Sequence, residues 1–387
     1  MSILLKNGSI YPITSKPFTG DILVSKGKIE SIGVDLKCEG AEVIDVSGKY
    51  ILPGFIDAHS HIGLFEEGVG GYYQDGNEMT DPLTPDVSVV DAFSPQDAAI
   101  KRALSGGVTT VMVVPGSANP IGGQGAIFKF KNTMIVDDMV VRAPAGLKMA
   151  TGENPKRVYG EGFKKTPGTR LGTAAVIRGY FQKVQGYMEK KALVAKEGKP
   201  FTDIDPKLEI GEKVLRKEIP ARIHAHRLDD ILTAVRLSKE FDFKLVIEHA
   251  TEGYKIVDYL KENNVPVVIG PIFGFRTKLE LKDMTYDSPR IMNEKGVLAA
   301  FMCDHPVIPL ESTNIQLGVA LRYGSKEEDL LKMVTINPAK ILEIDDRVGS
   351  LEVGKDADIA VWSGHPFQFS SRVEMVFIEG EEVYNSK

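Results

Sequence analysis

Residues 219–253 read IPARIHAHRLDDILTAVRLSKEFDFKLVIEHATEG. Two short apolar runs, each ending in histidine, flank a segment whose apolar residues Ile231, Ala234 and Val235 recur at helical spacing. This is the pattern of two parallel strands joined by a crossover helix. The same kind of apolar strand recurs in GVTTVMVVPGS (107–117), VVRAPAGLKMA (140–150), VPVVIGP (265–271) and VLAAFMCD (297–304). Alternation sustained over residues 51–344 predicts an α/β fold, a (β/α)8 TIM barrel.

Outside that span the pattern changes. Residues 1–50 carry short β-branched or alternating segments, with Asn7-Gly8 as a tight-hairpin signal, and residues 345–387 return to short strands around Gly-centred turns. Neither end is long enough for its own core, so the two are expected to pair into one small discontinuous β-sandwich.

The composition bounds the function. Forty-seven basic residues stand against 53 acidic ones, for a net charge of -6, and there is no dense Lys/Arg cluster. A nucleic-acid partner is therefore not expected. No apolar run approaches membrane-spanning length, and the first residues read as a strand rather than a signal peptide. Cys38 and Cys303, far apart in sequence, suit a reducing compartment, so a cytoplasmic protein acting on a small molecule is expected.

The seven histidines are grouped. His59 and His61 form one HxH, His224 and His226 another, and His249 and His305 each follow an apolar strand. On a strand, residues i and i+2 share a face, so each pair aims two imidazoles into one volume, as chelation of a divalent metal requires. Active sites of (β/α)8 enzymes lie at the C-terminal ends of the strands, which is where these histidines and Asp304 fall. Imidazoles with a carboxylate suit Zn, with Mn, Fe or Ni as alternatives, rather than Ca.

The motifs ILPGFIDAHSH (51–61), SGGVTTV (105–111), the histidines of two middle strands, MCDH (302–305) and NPAKIL followed by GSLEVGKDADIAVW together resemble the amidohydrolase superfamily, in its imidazolonepropionase-like and dipeptidase-like branches. The resemblance covers nearly the whole chain. It implies a barrel carrying a urease-like β-sandwich, His59 and His61 on a first metal, His224 and His249 on a second, and Asp304 as ligand and proton shuttle. Two-metal relatives bridge their ions with a carboxylated Lys or a Glu at the fourth strand, where AGLKMATGENPKR offers Lys148 and Glu153. Lys148 has the strand position but needs CO2 to become anionic. Glu153 is anionic at neutral pH, which favours it, but it falls where the strand has ended. With neither as ligand, a single-metal site results.

Other residues are candidates for the substrate. His226 either contacts it or supports a ligand. Gln124, in the Gly-rich SANPIGGQGAIFK, comes within reach of the pocket, and Arg227 and Arg276 are candidate carboxylate clamps. The segment 65–95, with Tyr72 and Tyr73, reads as a substrate loop. His305 is expected to support Asp304, and Cys303 to be a buried thiol. GSLEVGKD (349–356) is not a phosphate loop, because Asp356 replaces the hydroxyl residue and a strand follows it.

These readings converge on a metal-dependent hydrolase of a C–N bond in a small cyclic amide, N-acyl amino acid or dipeptide, using one or two divalent ions per chain. The competing readings are a one-metal deaminase of a heterocycle and a non-catalytic scaffold relative. Barrels of this kind often pair, so a homo-oligomer is an open expectation.

Overall fold

The computed structural model describes residues 2–71 and 74–387. Tyr72 and Tyr73 of the expected substrate loop lie outside the described residues. The chain begins with β1 (Ser2–Ile10), β2 (Phe18–Ser25), β3 (Lys28–Gly33), β4 (Glu42–Asp45) and β5 (Tyr50–Pro53). Next come β6 (Phe55–Ser60), β7 (Val108–Val113), β8 (Ile121–Lys129), β9 (Val140–Ala150), β10 (Ala221–Ala225), β11 (Leu245–His249), β12 (Val267–Ile269) and β13 (Ala299–Phe301). The chain closes with β14 (Ile359–Trp362), β15 (Val373–Ile378) and β16 (Glu381–Asn385).

Strands β6 to β13 form one eight-stranded sheet in sequence order. Alternation along each strand separates two cores. Phe55, Val111, Ile247, Val267 and Phe301 face outward onto the helices. Ile56, Met112, Val246, Val268 and Ala300 fill the interior. One strand departs from the expected all-parallel barrel, because β8 is antiparallel to both β7 and β9. The reason is connection length: residues 114–120 are too few for the crossover of about a dozen residues that parallel neighbours need.

The terminal strands join in a second sheet of order β16-β15-β14-β5-β1-β2-β3, with β4 paired to β1. Strand β5 pairs with β1 from one end of the chain and β14 from the other. The Asn7-Gly8 signal is not a hairpin. β1 continues through it with a register shift, Asn7 at φ 64° donating its N–H to Asp21 (2.9 Å). That is a bulge, for which Asn tolerates the left-handed backbone.

Two contacts fix this sheet on the barrel. Trp362, the single tryptophan, packs on Phe55 with ring centroids 5.5 Å apart. Lys129, buried at the end of β8, reaches Asp356 (2.6 Å), Asp358 (3.0 Å) and Glu379 (3.1 Å). Among the described residues no helix is long and apolar enough to cross a membrane.

Candidate active site

At the C-terminal ends of the barrel strands a pocket of about 680 Å³ is lined by His61, His224, His226, His249 and Asp304, with residues from five connections around them. The first group is stitched together from the two edge strands of the barrel sheet. Asp57 on β6 accepts the N–H of His59 (2.9 Å) and of Cys303 (2.8 Å), and the His61 N–H donates to the His305 carbonyl (3.0 Å). Asp304 is thereby held beside the HxH, its Oδ1 3.1 Å from His59 Nε2 and 3.3 Å from His61 Nε2. The second group comes from β10 and β11: the rings of His224 and His226 each lie 4.4 Å from that of His249.

The strand ends that deliver these groups are bent. His249 (φ 71°), Ala250 (φ 44°) and Asp304 (φ 54°) adopt left-handed backbone, each at a cost of about 1–3 kcal/mol that the surrounding hydrogen bonds must hold.

Four rings are oriented through Nδ1. His61 Nδ1 bonds the Val114 carbonyl (2.8 Å), His249 Nδ1 the Gly270 carbonyl (2.9 Å), His226 Nδ1 the Thr251 hydroxyl (2.8 Å), and His59 Nδ1 lies 3.0 Å from Glu248. A carbonyl or carboxylate beside Nδ1 accepts its N–H, which keeps the ring proton on Nδ1 and leaves Nε2 with its lone pair. Burial pushes His249 down to about 3, His224 and His226 well below their ordinary values, and His61 downward, so these rings are neutral, the form that ligates metal. His59 differs: burial lowers it, but Glu248 and Asp304 raise it further. Burial also acts to raise Asp304, yet the His249, His59 and His61 rings hold it well below the usual carboxylate range.

The donor chemistry fits a divalent ion. His59, His61 and Asp304 form one group and His224, His226 and His249 another, each with ligand atoms within 4.8 Å of one another. A tetrahedral site with bonds of about 2.0–2.1 Å needs ligand atoms roughly 3.3 Å apart. The Asp304 contacts already have that spacing.

Of the two rival fourth-strand residues, Lys148 is the one at the site, its Nζ 3.5 Å from His59 Nδ1. Glu153 is not brought there. The strand ends at Ala150, Gly152 turns at φ 80°, and Glu153 starts a helical turn, its N–H donating to Glu280 (2.7 Å). Gln124 donates to the Pro85 and Asp86 carbonyls (3.2 and 3.1 Å), so it holds the segment after β6 against β8 rather than facing the pocket. Arg227 pairs with Asp229 (2.9 Å) ahead of the helix Leu228–Phe241, and Arg276 donates to the Met284 carbonyl (2.8 Å); neither lines the pocket. From the expected substrate loop, Phe65, Gln74 and Asn77 do line it.

The sequence reading missed Glu248. This carboxylate, fully buried on β11, contacts His59 and Lys148 and accepts from Arg222 Nε at 2.8 Å. Burial alone would raise it, but His59, Lys148 and Arg222 hold it well below its ordinary value. The available signal was three charged residues, Lys148, Arg222 and Glu248, each inside an apolar strand run where an unpaired charge is not tolerated.

The chain is similar to known proteins along nearly its whole length. A crystal structure of an amidohydrolase from Thermotoga maritima MSB8 superimposes with a TM-score of 0.98 at 63% identity, covering 99% of this chain and 100% of that one. Amidohydrolase tasK of Hapsidospora irregularis is 27% identical over 390 residues, 93% of this chain, which spans 39% of the length of that relative. A dihydroorotase of Thermoanaerobacter sp. (strain X514) is 24% identical over 411 residues, 93% of this chain and 88% of that protein. The family model described as the amidohydrolase family matches residues 50–383. With the match spanning nearly all of the barrel and the strands that follow it, the chain belongs to the amidohydrolase family.

Proposed function

We propose that this chain hydrolyses a C–N amide bond of a small substrate, a cyclic amide, N-acyl amino acid or dipeptide, with one divalent ion at each of its two donor groups. The observation that carries the reading is the convergence of both groups on one pocket at the strand ends. Zn suits the imidazole-rich donor set, with Mn, Fe or Ni as alternatives. When bound, such an ion polarises a carbonyl and brings the pKa of water toward neutrality.

The protein's own groups then divide the work. The Nδ1 hydrogen bonds of His61, His226 and His249 fix the rings before substrate arrives. Asp304 presents Oδ1 to His59 and His61, which leaves its second oxygen for proton transfer. Held anionic, Asp304 accepts the proton of the attacking water as the C–O bond forms. It returns that proton to the nitrogen as the C–N bond breaks. The likeness to a dihydroorotase supports a small amide as substrate.

Elemental analysis of protein purified without chelator is expected to give two ions per chain, and Asp304→Asn to abolish amide hydrolysis while leaving the circular dichroism spectrum unchanged. One ion per chain with ammonia release would favour the deaminase reading. No bound ion after reconstitution, or full activity in Asp304→Asn, would overturn the proposal.

A further inference from the structure

Among the described residues lining the pocket, Asp304 is the only acidic one, whereas Lys278 and Arg157 are both basic. Lys278 stands on the connection after β12 with only 18% of its side chain exposed. Its Nζ lies 3.5 Å from Asn154 Oδ1 and 3.4 Å from Glu280 Oε2. An ammonium carries three donors, and neither contact is a close one. Glu280 Oε1 is taken by Arg170 (3.1 Å) and by the Glu153 N–H, while its buried Oε2 meets the Lys278 ammonium only at the long distance of 3.4 Å. Arg157, also on the pocket wall, has no ion pair among the described residues.

The position of Lys278 relative to the donor groups is defined by one side chain. Asn154 Nδ2 lies 3.5 Å from His224 Nε2, so the Asn154 amide alone separates the ammonium from the second histidine group. That places Lys278 Nζ at most roughly 9 Å from His224 Nε2, given standard amide dimensions. A charge-assisted hydrogen bond of about 2.8 Å from Lys278 then reaches a carboxylate one carbon away from an amide whose carbonyl lies over the histidines. Phe65, Leu281 and Met284 give the same pocket an apolar wall.

We propose that the substrate carries a carboxylate on the carbon next to the scissile nitrogen, and that Lys278, assisted by Arg157, receives it. The inference rests on the hydrolase reading above and narrows it to N-acyl amino acids, dipeptides and cyclic amides bearing such a carboxylate. Neutral heterocycles leave Lys278 with only its long contact to Glu280 and Arg157 with no counter-charge among the described residues. Lys278 and Arg157 are thus specificity-determining residues.

The test uses the metal-loaded full chain and two probes that cannot be hydrolysed, 2-isobutyl-4-oxopentanoate and its carboxamide, in which CH2 replaces the amide nitrogen of N-acetylleucine. Calorimetric titration is expected to show the carboxylate binding at least tenfold tighter than the carboxamide. Lys278→Gln should reduce that preference to within threefold, and Arg157→Gln should reduce it less. Equal affinity for the two probes, a preference that survives the double variant, or no binding of either would overturn the proposal. Hydrolysis assays separate the two levels. If N-acetylleucinamide is cleaved as efficiently as N-acetylleucine, the clamp fails while the hydrolase reading stands. If N-acetylleucine, a dipeptide and a carboxylated cyclic amide all go uncleaved while the carboxylate probe binds in a Lys278-dependent way, the clamp stands and the hydrolase reading fails.

Discussion

Glu248→Gln removes one negative charge from a cluster with no access to water. Glu248 and Arg222 are fully buried and Lys148 is 1% exposed. In the native protein one carboxylate faces both cations and the His59 ring. A glutamine of the same shape keeps a carbonyl oxygen for one donor but leaves Lys148 and Arg222 as buried cations without a counter-charge, and one Arg222 ω-nitrogen already lacks a partner. Breaking a buried pair in this way costs about 3–5 kcal/mol. Against a total stability of about 5–15 kcal/mol that is a large fraction. Urea unfolding of chelator-treated protein, followed by circular dichroism at 222 nm, reads the loss. Adding Lys148→Met and Arg222→Met to the same chain should recover most of it, since an apolar replacement of a buried ionic cluster is often neutral. Losing the partner of His59 Nδ1 should also weaken metal binding by about 10- to 100-fold. A Glu248→Gln protein within about 1 kcal/mol of the parent would refute the reasoning, because it would mean that the cluster carries no net charge to balance.

Lys129→Met should flatten the acid side of the stability profile. Burial acts to raise Asp356, but Lys129 and Lys28 hold it below its ordinary value, so its contribution is full above about pH 4 and is lost as the pH falls through the depressed native value. Urea midpoints at several pH values below 6 should fall less steeply in the variant than in the parent; parallel curves would count against the assignment. Gly107→Ala places a Cβ 2.8 Å from the Trp362 ring at φ 78°, and should destabilise by about 1–3 kcal/mol with a shifted tryptophan emission, whereas unchanged emission and midpoint would show that the ring gives way freely. Stripping metal with a chelator should lower the melting temperature, and restoring ion at a hundredfold excess over Kd should return about 2.7 kcal/mol. Identical melting curves would argue against ion binding.

The sequence disclosed those parts of the site that obey a local rule. His59 with His61 and His224 with His226 are each related by i, i+2, and their strand-end position is legible from the apolar runs before them. What escaped depends on neighbours that meet only in the folded barrel. Lys278 lies two residues beyond Arg276, the residue the sequence offers as a clamp, and its link to His224 runs through Asn154, which only the fold brings near. Glu153 and Asn154 are adjacent, and only the turn at Gly152 decides which of them faces the pocket. Gln124, in a glycine-rich stretch, is expected from the sequence within reach of the pocket, but that stretch is strand β8 and the Gln124 amide is spent on the Pro85 and Asp86 carbonyls. The antiparallel course of β8 was still calculable from the residues between Val113 and Ile121, had their number been weighed against the span of a crossover helix.

Reversing one strand also changes how the pocket can diversify. An all-parallel barrel opens eight separate connections onto its functional end, each free to lengthen without disturbing the others. Here residues 114–120 link two neighbouring strand ends at that face, while residues 130–139 are displaced to the opposite end. Gly116 and Ser117 therefore form a short taut rim, and an insertion between them would pull on the registers of β7 and β8 together. Adaptation to a new substrate in this scaffold falls to the long connections after β6 and β12, which carry Phe65, Asn77 and Lys278 and can vary without moving the histidines.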